Sequence, residues 1–244
     1  RRQIDFSSGY TKFKHKKLFE YVKEKSSRVI LQRDHGGPHQ GRVIDDGIVS
    51  IKDDCKYYDI IHIDPWKKFS NFKKGLNCTK NLIEICNDNG YKGTFEIGTE
   101  QSIREFSVEE VDLLLSECIK YNIEYIVIQS GTSLKENKNT GIYDKAKLSD
   151  MITVAKKYNV KTKEHNGDYI STELIKNKFK EGLASINIAP EFGLIETNCY
   201  LDLIKDNQTK YEELFNMCLR SNFWKKWVDS DFVPADNKLK LIQI

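Results

Sequence analysis

Three of the five histidines in this chain stand at or just beyond the ends of short apolar runs, each beside an acid. They occur in RVILQRDHGGP (Asp34, His35), DIIHIDPW (His62, Asp64) and VKTKEHNGDY (Glu164, His165, Asp168). Imidazole next to carboxylate is the chemistry of a divalent-metal site. It is also the chemistry of proton transfer, since a neutral imidazole can ligate a metal while the carboxylate handles protons.

The spacing within each segment limits what it can do. Neighbouring strand residues face opposite sides, so Asp34 and His35 diverge unless the chain turns there. Gly36, Gly37 and Pro38 supply such a turn, and the glycines let backbone approach a substrate closely. A loop histidine capping that turn is the plainer alternative. His62 and Asp64 are two apart and project from one face of a strand end; a buried histidine bonded to the next strand is the competing account. Glu96 shares a strand face with Gly98, and Glu100 begins the following loop. Either carboxylate could ligate a metal or act as a base, although a solvated loop glutamate also fits Glu100. Glu96 lies inside an apolar run, where an unpaired carboxylate is costly.

Two further strand ends, Gln129-Ser130-Gly131-Thr132 and Asn187-Ile188-Ala189-Pro190-Glu191, carry polar turns. Gln129 and Ser130, with Gly131 and Thr132, offer amide, hydroxyl and backbone donors to a phosphate, although S-G-T is also ordinary turn chemistry. Asn166 and Asp168 make the turn after His165 dense in polar groups and are candidates for substrate contact. His15, in a lysine-rich helical stretch, and His39, in a loop, read as surface residues.

The elements that must position these groups alternate. Six β-type runs, 29–34, 59–64, 94–98, 125–129, 160–165 and 184–190, are rich in Ile, Val and aromatic residues. Amphipathic helical patterns lie between them, including 106–121 with Ser107 as N-cap and 144–158. A strand recurs roughly every 25–35 residues, the period of a repeated βα unit. Such a chain builds a parallel sheet with its functional groups at the carboxyl edge. Residues 1–10 read as a loop leading into a helix over 11–26, with no strand before it. The aromatic stretch 223–232 reads as a closing helix that packs Trp224 and Trp227 onto the body.

The chain has 244 residues, 39% hydrophobic and 31% charged, which suits a globular enzyme with a real core, and nothing divides residues 1–244 into more than one domain. A net charge of +3 gives no argument for nucleic acid, and no apolar run is long enough for a membrane span. Six widely spaced cysteines without C-x-x-C read as reduced core residues, which places the protein in the cytoplasm.

Taken in order, the segments FSSGYT, DHGGP, HID, IGTE, HNGDY and IAPEFGLIET resemble the motifs of the non-catalytic subunit family of class II D-tagatose-bisphosphate aldolase. The likeness spans about Gln3 to Leu203. It implies an aldolase-type (β/α)8 TIM barrel whose first two strands are lacking in this chain and would precede Arg1. VILQRDHG is also similar to the Asp-His pair of the catalytic class II aldolases, which implies Asp34 as the proton-transfer group and His35 as a zinc ligand. HIDPW departs from the family's HLDCS, and HNGDY from its HSTDY, which implies a reshaped wall beside His62 and a different substrate.

Two functions are expected from these readings. The first is a metal-dependent aldolase or 4-epimerase acting on a phosphorylated ketose by retro-aldol chemistry. Asp34, Asp64 and Glu96 are then the proton-transfer candidates, and His35, His62, His165 and Glu100 the ligands of a divalent metal, zinc by the resemblance. The second is a non-catalytic subunit that stabilises a separate catalytic aldolase.

Overall fold

The six expected strands form in their expected order in the protein, described here from a computed structural model covering residues 4–5, 13–41, 44–135 and 137–244. They are β1 (Gln32–Gly36), β2 (Ile60–Ile63), β3 (Thr94–Gly98), β4 (Ile123–Val127), β7 (Lys161–Glu164) and β8 (Ser185–Ile186). All pair in parallel in the order β1-β2-β3-β4-β7-β8, giving a curled half-barrel sheet. Among the described residues, six helices accompany it: α1 (His15–Lys25), α2 (Ile48–Asp54), α3 (Phe72–Asp88), α4 (Val108–Cys118), α5 (Lys145–Lys157) and α6 (Thr172–Glu181). The FSSGYT segment lies outside the described residues, as does most of the loop expected over 1–10.

The two faces of the sheet are unlike. Phe95, Ile61, Ile63, Ile97 and Ile126, almost fully buried, belong to the core that packs with Leu82, Ile83, Leu114, Leu115, Leu148 and Met151 of the helices. Each such side chain contributes about 1.5–3 kcal/mol when withdrawn from water. Residues of opposite parity, Gln32, Asp34, His62, Glu96, Tyr125 and Lys163, line the other face; the helix-packed face is mainly apolar but also carries Arg33, paired with Asp54, and Glu164, paired with Lys178. Helix starts are chemically marked. Ser107 caps α4 in a reciprocal box with Glu110, and Asp144 caps α5 by accepting from the Lys147 amide at 2.9 Å.

The chain divides into two compact units. The first comprises Arg1–Thr132, Ile142–His165 and Ser171–Ile186, and holds the sheet. The second comprises Ser133–Gly141, Asn166–Ile170 and Asn187–Ile244. It contains a short hairpin, β5 (Leu134–Lys135) and β6 (Lys138–Asn139), and helices α7 (Pro190–Ile204), α8 (Gln208–Ser221) and α9 (Lys238–Gln243) around Phe215, Leu241 and Ile242.

Several expectations need correction. The sixth strand is only two residues long, because Pro190 opens α7 where more strand was expected. The stretch 223–232 forms one short 3-10 turn, Phe223–Lys226, in place of a helix; Trp224 packs against Phe232, while Trp227 is exposed. His15 is buried, not on the surface: its ring sits edge-on to Tyr57 and Tyr58 and beside the carboxylates of Asp53 and Asp54. The cysteines are free, with Cys86 and Cys118 buried but Cys199 exposed. No helix among the described residues is long and apolar enough to cross a membrane.

Candidate metal centre

The carboxyl ends of β1, β2 and β7 bring three imidazoles into one triangle. The ring centroids of His35, His62 and His165 are separated by 4.9, 5.0 and 5.0 Å, and all three residues are buried. One ligating atom from each, with one carboxylate oxygen of Asp34, fits within a cluster no more than 4.8 Å across.

The divergence expected of Asp34 and His35 is resolved locally. His35 takes a left-handed conformation, φ 47°, and the register of β1 against β2 slips between Arg33 and Gly36. A non-glycine residue in that region costs of order 1–3 kcal/mol, and such strain is found where a site needs it. Gly37 has φ 138°, and a Cβ there would meet the Asp64 carbonyl oxygen at 2.9 Å. Gly36 and Gly37 therefore lie against the backbone of the second strand end.

One nitrogen of each ring bonds a carboxylate or a carbonyl. His35 Nδ1 donates to Asp64 Oδ2 at 2.5 Å, His62 Nε2 to the Gly98 carbonyl at 3.0 Å, and His165 Nε2 to Glu96 Oε1 at 2.8 Å. A metal-ligating histidine commonly donates its other ring N–H to a carboxylate or carbonyl in this way, which sets tautomer and orientation. The other ring nitrogens are His35 Nε2, His165 Nδ1 and His62 Nδ1, the last of which accepts from the His35 amide at 3.3 Å. Asp34 is half exposed, with its carboxylate 3.7 Å from His35 Nε2 and 3.8 Å from His62 Nδ1. Glu100 Oε2 is 3.8 Å from His35 Nε2. Asp64 also accepts from the Thr99 hydroxyl at 3.0 Å and the Trp66 amide at 3.1 Å.

Charge follows geometry. Burial holds the His35 pKa below its ordinary value, outweighing the Asp34 and Asp64 carboxylates, so this ring is neutral near pH 7. Burial acts the same way on His62, but Glu96, Asp34 and Asp64 outweigh it and raise its pKa to about 9. Desolvation would raise the carboxyl groups of Asp34, Asp64 and Glu96, yet the surrounding imidazoles hold all three below the usual carboxylate range, assisted at Glu96 by Lys163.

The other expected residues have different surroundings. Gln129 accepts from the Phe106 amide and donates to the carbonyls of Thr99 and Arg104, tying together loop backbone. The Ser130 amide and hydroxyl both donate to Glu164, whose second oxygen takes the buried Lys178 ammonium at 2.7 Å. Asp168, in the second unit, accepts from the Ala189 and Glu191 amides at the start of α7, and Asn166 there has φ 58° and accepts from Asn139 through its carbonyl. The residues that sequence reasoning passed over are Gln32 and Lys163. Each stands two positions before a named group, Asp34 or His165, and so shares its strand face; that period was the available signal.

No family model matches this chain, and no curated protein sequence does. Solved structures match its fold. A probable tagatose 6 phosphate kinase from Sinorhizobium meliloti 1021 superposes with TM-score 0.76 at 16% identity, covering 99% of this chain and 73% of that one. The YdjI aldolase from Escherichia coli K12 gives 0.56 at 14% identity, covering 94% and 68%. The glycerol-complexed fructuronate-tagaturonate epimerase UxaE from Cohnella laeviribosi gives 0.59 at 12% identity, covering 90% of this chain and 57% of that one.

Proposed function

We propose that this protein is a metal-dependent aldolase or 4-epimerase acting on a phosphorylated ketose by retro-aldol chemistry. The observation that carries the reading is the triangle of three buried imidazoles, each with one nitrogen held by a carboxylate or carbonyl, and with a ligating atom from each ring gathered within 4.8 Å of the others and of the Asp34 carboxylate. Three nitrogens and a nearby carboxylate are the donor set of an open zinc site. His35, His62 and His165 would hold the ion, with Glu100 beside them. Bound there, a divalent metal such as zinc would supply Lewis acidity toward the substrate carbonyl.

The chain's own residues divide the remaining work. Asp34, ionised and half exposed at the edge of the triangle, would exchange a proton with the hydroxyl next to the bond that breaks. Asp64 orients His35, and Glu96 orients His165. Cleavage followed by release of both fragments is an aldolase reaction; rotation of the aldehyde and recombination is 4-epimerisation. The ketose phosphate is drawn from the motif resemblance and from the neighbours' names, an aldolase and a tagaturonate epimerase among them. The closed (β/α)8 barrel of this reading needs two strands bridging β8 and β1.

The test is metal content followed by turnover. Purified protein should carry close to one equivalent of zinc and convert a ketose 6-phosphate or 1,6-bisphosphate to a triose or a 4-epimer. Asp34→Asn should keep the metal and lose about 10²–10⁴-fold in rate. Absence of metal would sink the metal reading. Full metal without turnover on any ketose phosphate would leave the stabilising-subunit function in its place.

A further inference from the structure

Beneath the imidazole triangle, the inner face of the sheet carries a layer that ordinary barrel packing does not call for. Such positions are usually filled by branched apolar residues. Here four strands contribute Gln32, Glu96, Tyr125 and Lys163. Glu96 is fully buried and Lys163 nearly so. The Lys163 ammonium meets Glu96 Oε2, donates to Gln32 Oε1 at 2.7 Å and lies 4.4 Å from the centre of the Tyr125 ring. Gln32 Nε2 closes the ring by donating to Glu96 Oε2 at 2.7 Å. Three groups thus saturate one another on the lower side of Glu96. Its upper oxygen, Oε1, is left to accept from His165 Nε2 and stands 3.5 Å from His62 Nδ1.

A carboxylate so close to two candidate ligands is itself a competent ligand, binding zinc at about 2.0–2.2 Å. A fully buried carboxylate without a counter-charge is also costly, and a nearby cation would draw it in. We infer that Lys163 is a positioning residue: with Gln32, it anchors the Glu96 carboxylate as the hydrogen-bond acceptor of His165 and keeps it out of the metal's coordination sphere. The metal then keeps a nitrogen-dominated set with a position open to substrate, and His165 keeps the tautomer that presents Nδ1. The inference rests on the metal-centre reading above and adds the residue that decides which donors the ion meets.

Cobalt(II) substitution tests it, because four-coordinate cobalt absorbs visible light far more strongly than five- or six-coordinate cobalt. The wild-type protein loaded with Co²⁺ should show the intense band. Lys163→Met should lose most of that intensity as Glu96 joins the coordination, and Glu96→Gln added to Lys163→Met should restore it. Lys163→Arg, which keeps the charge, should retain the wild-type spectrum and covers the case in which Lys163→Met fails to fold. If the wild-type protein takes up no Co²⁺, the metal reading itself falls. If it does, and Lys163→Met gives the same band with only a lower melting temperature, Lys163 is a packing residue and the inference is overturned. Loss of the band in Lys163→Arg as well would equally overturn it, since charge would then not be what restrains Glu96.

Discussion

Adjacency in the chain and partnership in the site are different relations for these histidines. Asp34 precedes His35, yet the His35 ring bonds Asp64 of the next strand. Glu164 precedes His165, yet it turns to Ser130 and Lys178 while His165 bonds Glu96. The acids that orient the rings therefore come from other strands: Asp64 from the end of β2, beside β1, and Glu96 from β3, which β4 separates from β7. Partners of this kind tune metal affinity without touching the ion. Replacing Asp64 by Asn should weaken zinc binding by about 10–100-fold. Competition against a chromophoric chelator would measure this, and an unchanged affinity would remove Asp64 from the support of His35.

At the scale of elements, polar groups buried between sheet and helices act as fasteners. Lys178 of α6 joins Glu164 at the end of β7 and Ser130 beyond β4, under the Tyr143 ring. Removing one partner of a buried pair leaves the other charge uncompensated. Lys178→Met should cost about 3–5 kcal/mol by chemical denaturation, and a loss below about 1 kcal/mol would show that water reaches Glu164. On α1, His15 faces Asp53 and Asp54 of α2, with Nε2 3.2 Å from the Ile4 carbonyl. Burial, then Arg33, lower its pKa, against Ile4, Asp53 and Asp5, which raise it. The folded protein thus holds this proton less tightly than the unfolded chain does, near pH 6.5. Its contribution is fully present above that pH and is lost below it, by at most about 1.4 kcal/mol per pH unit. Melting temperatures at pH 7.5 and 5.5 should differ more for the native protein than for His15→Gln. Equal differences would exclude His15 as a source.

At the scale of the whole molecule, two cores serve two units. The larger lies between the sheet and α1–α5; the smaller gathers Phe215, Leu241 and Ile242 with flanking residues of α7 and α8. Truncating a buried leucine costs about 2–5 kcal/mol where the surroundings cannot collapse. Leu241→Ala should accelerate amide exchange across 208–243 while leaving β2 and β3 protected. Equal acceleration throughout, followed by mass spectrometry, would mean that the chain opens as one cooperative body.

Much of this was legible in the sequence. The β-type runs located all six strands to within a few residues, although β1 is Gln32–Gly36 and leaves Val29 and Ile30 exposed before it, and Ser107 marked the start of α4 by its side-chain chemistry. The residues of the imidazole triangle were visible for the same reason: strand ends are readable, and His and Asp are rare inside apolar patterns. Four features required tertiary structure. They are the left-handed turn at His35, the exchange of acid partners between strands, the burial of His15 and the Gln32–Glu96–Lys163 layer beneath the triangle. Local sequence specifies which way a side chain leaves its strand, but not what waits across the gap. Lys163 reads alone as one more charge in VKTKEH; only parallel register, setting β7 and β1 around β3, turns it into the counter-charge of Glu96.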